Sequence, residues 1–364
     1  MKEIDELREV LSQTLDWNRA RLTCFCQIVL ALFRVRSVNL TQLATAFQGK
    51  AKLDSHYKRL QRFFRELKFD MLDAFKIILQ IFPIKRKVWL IIDRTNWQVG
   101  SKNINILTLA MAYEGTAIPL AWFVMNKAGN SSTNERIEVL EKVIRQLGPS
   151  KIAGLIGDRE FIGSQWFDYL IKSEIPFYMR IREDTLVEGA RNGYAVSLRD
   201  VFRHLKEGKK KVLAQPLQML GHSFYVAASR LKDELLLVVT NKNPKKAISI
   251  YKTRWEIETL FACLKTRGFC LEDTHLTYTD RIEKLIFALS IAFCWAYKLG
   301  NIAANVVPIS IKKHGRKAKS LFRYGLDKIR KILLGTPRYF NLFLWLLKLF
   351  DPLLSSSIPK RVFL

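Results

Sequence analysis

Roughly the first 80 residues place apolar positions at helical spacing and contain few Gly or Pro, which predicts a helical start to the chain. Within them, NLTQLATAFQGKAKLDSHYKRLQRFFRE reads as helix, short turn, helix, with Asp54 and Ser55 as N-cap candidates for the second helix. The period then shortens to that of strands. Residues 87–93 (KVWLIID) form a short apolar run ending in a carboxylate. Residues 104–113 and 117–125 make a hairpin around Glu114-Gly115-Thr116. SSTNERIEVLEKVIRQLG opens on capping residues and continues as an amphipathic helix to Gly148. Residues 151–158 (KIAGLIGD) are a second buried-type strand ending in a carboxylate, followed by a helix over 163–173 and a strand over 176–182. This is the pattern of a mixed α/β sheet.

Residues 183–243 are more polar, with short alternating strands in KVLAQPLQML, SFYVAASRL and ELLLVVTN and helical periodicity in LRDVFRHLKEG. They predict a β-rich insertion interrupting the α/β domain. Pro244 starts a helix that includes YKTRWEIETLFACLK (251–265), and a strongly apolar helix follows over 280–299. Two apolar runs, 285–297 and 339–350, fall short of the roughly 20 residues of a bilayer span, and the second contains Lys348. Both predict buried core helices and no membrane association. The expected domains are a helical N-terminal DNA-binding region (1–82), a catalytic domain (83–182 and 244–300), the insertion (183–243) and a basic helical C-terminal region (301–364).

Charge changes the picture. Sixty Lys and Arg face 33 Asp and Glu, a net charge of +27, and such a field attracts polyanions, nucleic acid first. In the N-terminal region, Lys58, Arg59, Arg62 and Arg65 stand among Leu60, Phe63 and Phe64. A basic helix after a short turn is what a helix-turn-helix reader of DNA needs, although a solvated surface helix has the same pattern. The last segment, from Asn301, has 13 Lys and Arg against Asp327 and Asp351, a further candidate for backbone contact. The five cysteines are odd in number and lack C-x-x-C spacing, as expected of reduced thiols in a cytoplasmic protein.

The candidate chemistry lies in three carboxylates. Two strands lead to Asp93 and Asp158, and a later helix presents Glu258. On that helix Tyr251, Arg254, Glu258 and Lys265 fall within a sector about 60° wide, beside an apolar stripe of Ile257, Leu260, Phe261 and Leu264. An ordinary i, i+4 ion pair between Arg254 and Glu258 accounts for part of that face. Converging carboxylates repel one another, and hard divalent cations with oxygen ligands relieve the repulsion.

The order strand-Asp93, strand-Asp158, β-rich insertion, helix-Glu258 resembles the retroviral-integrase-like DDE transposases. Tyr251, Arg254, Glu258 and Lys265 match the Y-x2-R-x3-E-x6-K signature of bacterial insertion-sequence transposases of the family named after insertion sequence four, and IIDRTNW and IGDREF look like its two aspartate motifs. The resemblance covers roughly residues 87–299. It implies an RNase H-like catalytic domain, with Asp93, Asp158 and Glu258 holding two Mg²⁺ or Mn²⁺ ions. Tyr251, Arg254 and Lys265 would grip phosphates near the scissile bond. It further implies cut-and-paste transposition on double-stranded DNA, at the element's terminal inverted repeats and at a target, by a homodimer associated with the bacterial nucleoid. One departure stands out. Hairpin-forming relatives flip a base onto a tryptophan of the insertion, and residues 183–243 contain none; Leu236 occupies the aligned position, with Phe224 or Tyr225 as substitute stacking surfaces. A metal-dependent nuclease of the same fold and a non-catalytic DNA-binding repressor remain alternatives.

Overall fold

The computed structural model describes residues 2–188, 194–335 and 339–352. Parts of the expected insertion (189–193) and C-terminal region (336–338 and 353–364) lie outside the described residues. Five helices come first: α1 (Lys2–Ser12), α2 (Arg19–Val35), α3 (Leu40–Thr45), α4 (Leu53–Glu66) and α5 (Met71–Ile81). Strands β1 (Val88–Val99), β2 (Lys102–Tyr113) and β3 (Thr116–Met125) lead to α6 (Thr133–Leu147), β4 (Ile152–Gly157), α7 (Ser164–Lys172) and β5 (Phe177–Ile181). Next come β6 (Leu186–Glu188), β7 (Ala195–Ser197), α8 (Leu198–Val201), β8 (Lys210–Val212), β9 (Leu217–Met219), β10 (His222–Arg230) and β11 (Leu235–Thr240). The chain continues through α9 (Ala247–Tyr251), α10 (Trp255–Leu264), α11 (Thr279–Val306), α12 (Leu321–Leu334) and α13 (Phe340–Leu347). It divides into a sheet unit (Lys85–Thr95 and Asn105–Leu260) and a helical unit (Met1–Ile84, Asn96–Ile104 and Phe261–Leu364).

The sheet unit is built on a mixed sheet in the order β3-β2-β1-β4-β5-β11-β10-β8, with β9 alongside β10. β1, β4 and β5 are parallel neighbours, and the β2–β3 hairpin is antiparallel. The centre of the sheet is apolar on both faces: Leu90, Ile91 and Ile92 of β1 and Leu155 and Ile156 of β4 are fully buried, as parallel strands require. Gly157 permits close approach at the end of β4, since a Cβ there would meet Met179 Sδ at 2.7 Å and Ile92 Cγ2 at 3.1 Å. α6 begins on a capping box, with Glu135 N donating to Ser132 Oγ (3.3 Å) and Ser132 N donating to Glu135 Oε2 (2.6 Å).

Three local expectations are corrected, at β1, KVLAQPLQML and LRDVFRHLKEG. β1 does not end at Asp93 but runs to Val99, because Thr95 and Trp97 are β-formers whose side chains are buried in alternation with exposed neighbours. The β-rich character of residues 183–243 takes a definite form: β11 pairs antiparallel with β5, and β10 with β11 and β8. KVLAQPLQML holds two short strands, β8 and β9, because Pro216 between them has no N–H for a ladder. LRDVFRHLKEG yields only the four-residue α8.

The helical unit packs α11 against α2, α5 and α12. Its core includes a ring cluster in which Phe25 stacks on Phe287 at 4.8 Å and Trp17 meets Phe25 edge-on at 5.4 Å. α11 has 28 residues, longer than its apolar run implied, and by length and composition alone could cross a bilayer. Its apolar surface is used inside the unit, where 83% of its most apolar stretch is buried. Lys284 on α11 is buried and donates to the Phe64 carbonyl (2.9 Å) and to Asp280 (3.0 Å). α11 and α12 cross at Gly300 and Gly325, where an added Cβ would run into the carbonyls of Leu321 and Ala296 respectively. α4 starts at Leu53 with Lys52 as a cap that makes no side-chain bond, so Asp54 lies in the first turn and neither it nor Ser55 is the N-cap.

Candidate active site

The pairing of β1 with β4 ends at Ile92–Gly157, so the next residue on each strand is a carboxylate, Asp93 and Asp158. Each turns one oxygen to the backbone that follows it: Arg94 N donates to Asp93 Oδ1 (2.7 Å), and Arg159 N donates to Asp158 Oδ1 (2.8 Å). The helix expected from Pro244 onward arrives in segments. A 3₁₀ turn at Lys252–Arg254 separates α9 from α10, with Tyr251 at the end of one and Glu258 in the other.

Arg254 is the hub. Its Nη1 donates to Asp93 Oδ2 at 3.0 Å and its Nη2 pairs with Glu258 Oε1. The i, i+4 pair is therefore present, and it is half of a bridge between two of the three carboxylates. Tyr251 completes the set, its hydroxyl donating to Asp158 Oδ1 at 3.1 Å. Burial pushes the Asp93 carboxyl up to about 6; the Arg94 N–H and Arg254 pull it down, and Glu160 and Asp158 push it further up. Burial works against the charge of Arg254, yet Asp93, Asp158 and the bond to Glu258 outweigh it, and the guanidinium pKa is raised. Burial and the neighbouring Asp158 also raise the Tyr251 phenol, which stays protonated as a donor.

Several contributors escape a sequence reading. Arg94 forks onto Glu160, with Nε at 3.2 Å from Oε1 and Nη2 at 3.0 Å from Oε2, while its Nη1 reaches Asn105 at 3.2 Å. Arg136 is buried and holds the Glu160 carbonyl at 2.8 Å. These bonds tie the residue after Asp93 to the segment after Asp158. Glu256 accepts from Tyr113 N (2.7 Å) and Gly115 N (2.9 Å), fastening the start of α10 to the β2–β3 turn. Arg180 lies 4.0 Å from Asp158 and also pairs with Glu234. The charged neighbours in IIDRTNW and IGDREF were the available signal for Arg94 and Glu160.

In the helical unit, Lys265 Nζ donates to the Asn96 carbonyl (3.2 Å), pairs with Glu272 (2.7 Å) and lies 5.6 Å from the Trp97 ring centroid. Lys58, Arg59 and Arg62 are on α4, and the last two are exposed without a carboxylate partner among the described residues. Of the two substitute stacking rings, Phe224 is unavailable: it is buried between Phe167 (4.9 Å) and Phe177 (5.3 Å). Tyr225 is half-buried.

Among the described residues no three His, Cys, Asp or Glu side chains stand close enough to form a ready metal cage. The donor chemistry nevertheless fits a hard divalent ion: the groups are carboxylates, and a positive charge, the Arg254 guanidinium, already sits between two of them. With Arg254 turned away, Asp93 and Glu258 each present a free oxygen.

No curated protein matches the chain. Residues 85–295 match the family described as the transposase DDE domain. That span takes in β1, the hairpin, β4, the strands that extend the sheet, and α9 to most of α11, and so contains Asp93, Asp158 and Glu258. It is more than half of the chain, which belongs to the transposase DDE domain family, a family of DNA-cleaving and strand-transferring enzymes.

Proposed function

We propose that the protein is an insertion-sequence transposase of the family named after insertion sequence four, acting by cut-and-paste on double-stranded DNA. The observation that carries this reading is that Arg254 bridges Asp93 and Glu258 while Tyr251, on the same segment, bonds Asp158. The parallel β1-β4-β5 core with its antiparallel hairpin supports an RNase H-like catalytic domain. The domain plan that goes with it is DNA binding in 1–82, catalysis in 83–182 and 244–300, the insertion in 183–243 and a basic tail in 301–364.

Asp93, Asp158 and Glu258 would hold two divalent ions, Mg²⁺ or Mn²⁺, which when bound make a water or hydroxyl nucleophilic at neutral pH and stabilise the leaving oxygen of a phosphodiester. The chain's own groups do the positioning. Arg254, released from its two carboxylates, offers the same fork to a phosphate, and Tyr251 and Lys265 add a donor and a point charge. Arg94–Glu160 and Glu256 fix the backbone that carries the carboxylates. Hydrolysis at the element's end would free a 3′-hydroxyl, and that hydroxyl would attack either the opposite strand, closing a hairpin, or the target DNA, by in-line displacement. The absence of tryptophan from residues 183–243 and the burial of Phe224 leave Tyr225 as the ring for any hairpin route. Two subunits bridging the two terminal repeats, with Lys58, Arg59 and Arg62 on DNA, complete the reading for a cytoplasmic, nucleoid-associated protein.

The test is incubation of the protein and Glu258→Gln with DNA carrying the element's terminal repeats and Mg²⁺, resolving nicked, hairpin and joined products. Glu258→Gln is expected to lose all cleavage while binding DNA within a few-fold of the parent. Cleavage by that variant would overturn the assignment, and nicking without joined products in the parent would favour a nuclease.

A further inference from the structure

Away from the carboxylates, α2 and α4 enclose a cavity of about 440 Å³ in the helical unit. Its floor is apolar: Cys24, Phe63 and Leu67 are all buried. Its rim carries Arg59 and Arg62 from α4 and, from the first turn of α2, Arg21. None of these three guanidinium groups has a carboxylate partner among the described residues, whereas Arg8, Arg65, Lys319 and Arg323 in the same unit are each ion-paired. The one carboxylate on the rim, Glu66, is engaged by Arg65 at 2.9 Å. The first turn of α2 contains no acidic residue to offset them.

We infer that this cleft binds the phosphodiester backbone of DNA, with Arg21 of α2 acting together with Arg59 and Arg62 of α4. Three like charges around one cavity repel, and a polyanion relieves that repulsion. A guanidinium fork matches phosphate oxygens, and the apolar floor suits the deoxyribose between two phosphates. Burial pushes the Cys24 thiol up to about 12, so the floor stays neutral and offers no competing anion. A recognition-helix reading of α4 alone leaves Arg21 out; the cavity brings it in. The inference rests on the protein being a DNA-acting enzyme, and it names a grip on DNA outside the carboxylate site.

The test is duplex binding by the full chain in chelator, so that no strand is cut, followed by fluorescence anisotropy across a salt series. Arg21→Ala is expected to flatten the slope of log affinity against log salt by about 0.9, as one lost phosphate contact does. Arg59→Ala and Arg62→Ala should each do the same, and Arg21→Lys, which keeps the charge, should keep the slope. Thermal melting of each variant separates loss of contact from loss of fold. A parent that binds duplex while Arg21→Ala keeps the parental slope overturns the cleft and leaves the enzyme reading standing. A parent that binds no duplex overturns the enzyme reading and the cleft with it. Protection of Arg21 from phenylglyoxal should follow duplex; equal protection by inorganic phosphate alone would make the cleft a small-anion site and overturn the inference.

Discussion

Two sets of three arginines, one set in each unit, are used in opposite ways. In the sheet unit Arg94, Arg180 and Arg254 are each bonded to carboxylates and largely shielded from solvent. In the helical unit Arg21, Arg59 and Arg62 are exposed around a cavity and unpaired with acids. Charges of the first kind hold geometry and are little screened by salt. Those of the second kind are free to meet an external polyanion and should respond strongly to ionic strength. The difference separates residues that build a site from residues that recruit a substrate, even though a composition count treats all as equal.

The sharpest way to break that contrast is Arg254→Ala. It strips the partner from Asp93 and Glu258 together, and is expected to destabilise the protein by about 3 kcal/mol, read as a lower denaturant midpoint. A variant as stable as the parent would mean that Arg254 does not hold Asp93 and Glu258 in place in the free protein.

A smaller effect of opposite sign is expected from Asp93→Asn. The Asp93 carboxyl is raised to about 6 in the folded protein from an ordinary value of 3.8, so the native state prefers the protonated form. Its contribution is fully favourable below the unfolded pKa and is lost as pH rises through about 6. Asn removes that cost, so the substitution should stabilise the protein by about 2 kcal/mol near neutral pH, with the gain fading as the pH falls toward the ordinary carboxylate range. Melting temperature against pH for both proteins checks it; a gain that does not fade on acidification would place the effect elsewhere.

The smallest stability change should come from Lys58→Ala on α4, within about 0.5 kcal/mol of the parent. Its mark should appear in the salt dependence of duplex binding, with a slope shallower by about 0.9 if Lys58 meets a phosphate. A large stability loss would show that α4 is built like the sheet unit.

Much of the fold was legible because it is local. The hairpin, α6, β4, α7 and β5 follow from periodicity, and the capping box of α6 from Ser132 and Glu135 alone. What escaped was set by partners far along the chain. β11 joins β5 across the insertion, and nothing in LLLVVT says which strand it will meet. β1 was cut short at Asp93 because a charged pair, Asp93-Arg94, looks like a strand end until Glu160 is there to neutralise Arg94. Asp93, Asp158, Glu258, Tyr251 and Arg254, expected together from residue type and spacing, are linked in the structure by the bonds of Arg254 and Tyr251. The anchoring of Glu256 to Tyr113 and Gly115 could not be expected in that way, since it depends on a turn 141 to 143 residues earlier.

The crossing of α11 and α12 at Gly300 and Gly325 has a consequence for tracing this protein's ancestry. Both positions lie beyond the segment that matches the family, and each is barred to every other residue by the carbonyl opposite. A relative that preserves both glycines at the same separation keeps this helix crossing, and one that has replaced either must have moved its helices apart. Two small residues thus serve as a register mark for the C-terminal helices where the shared motifs have already run out.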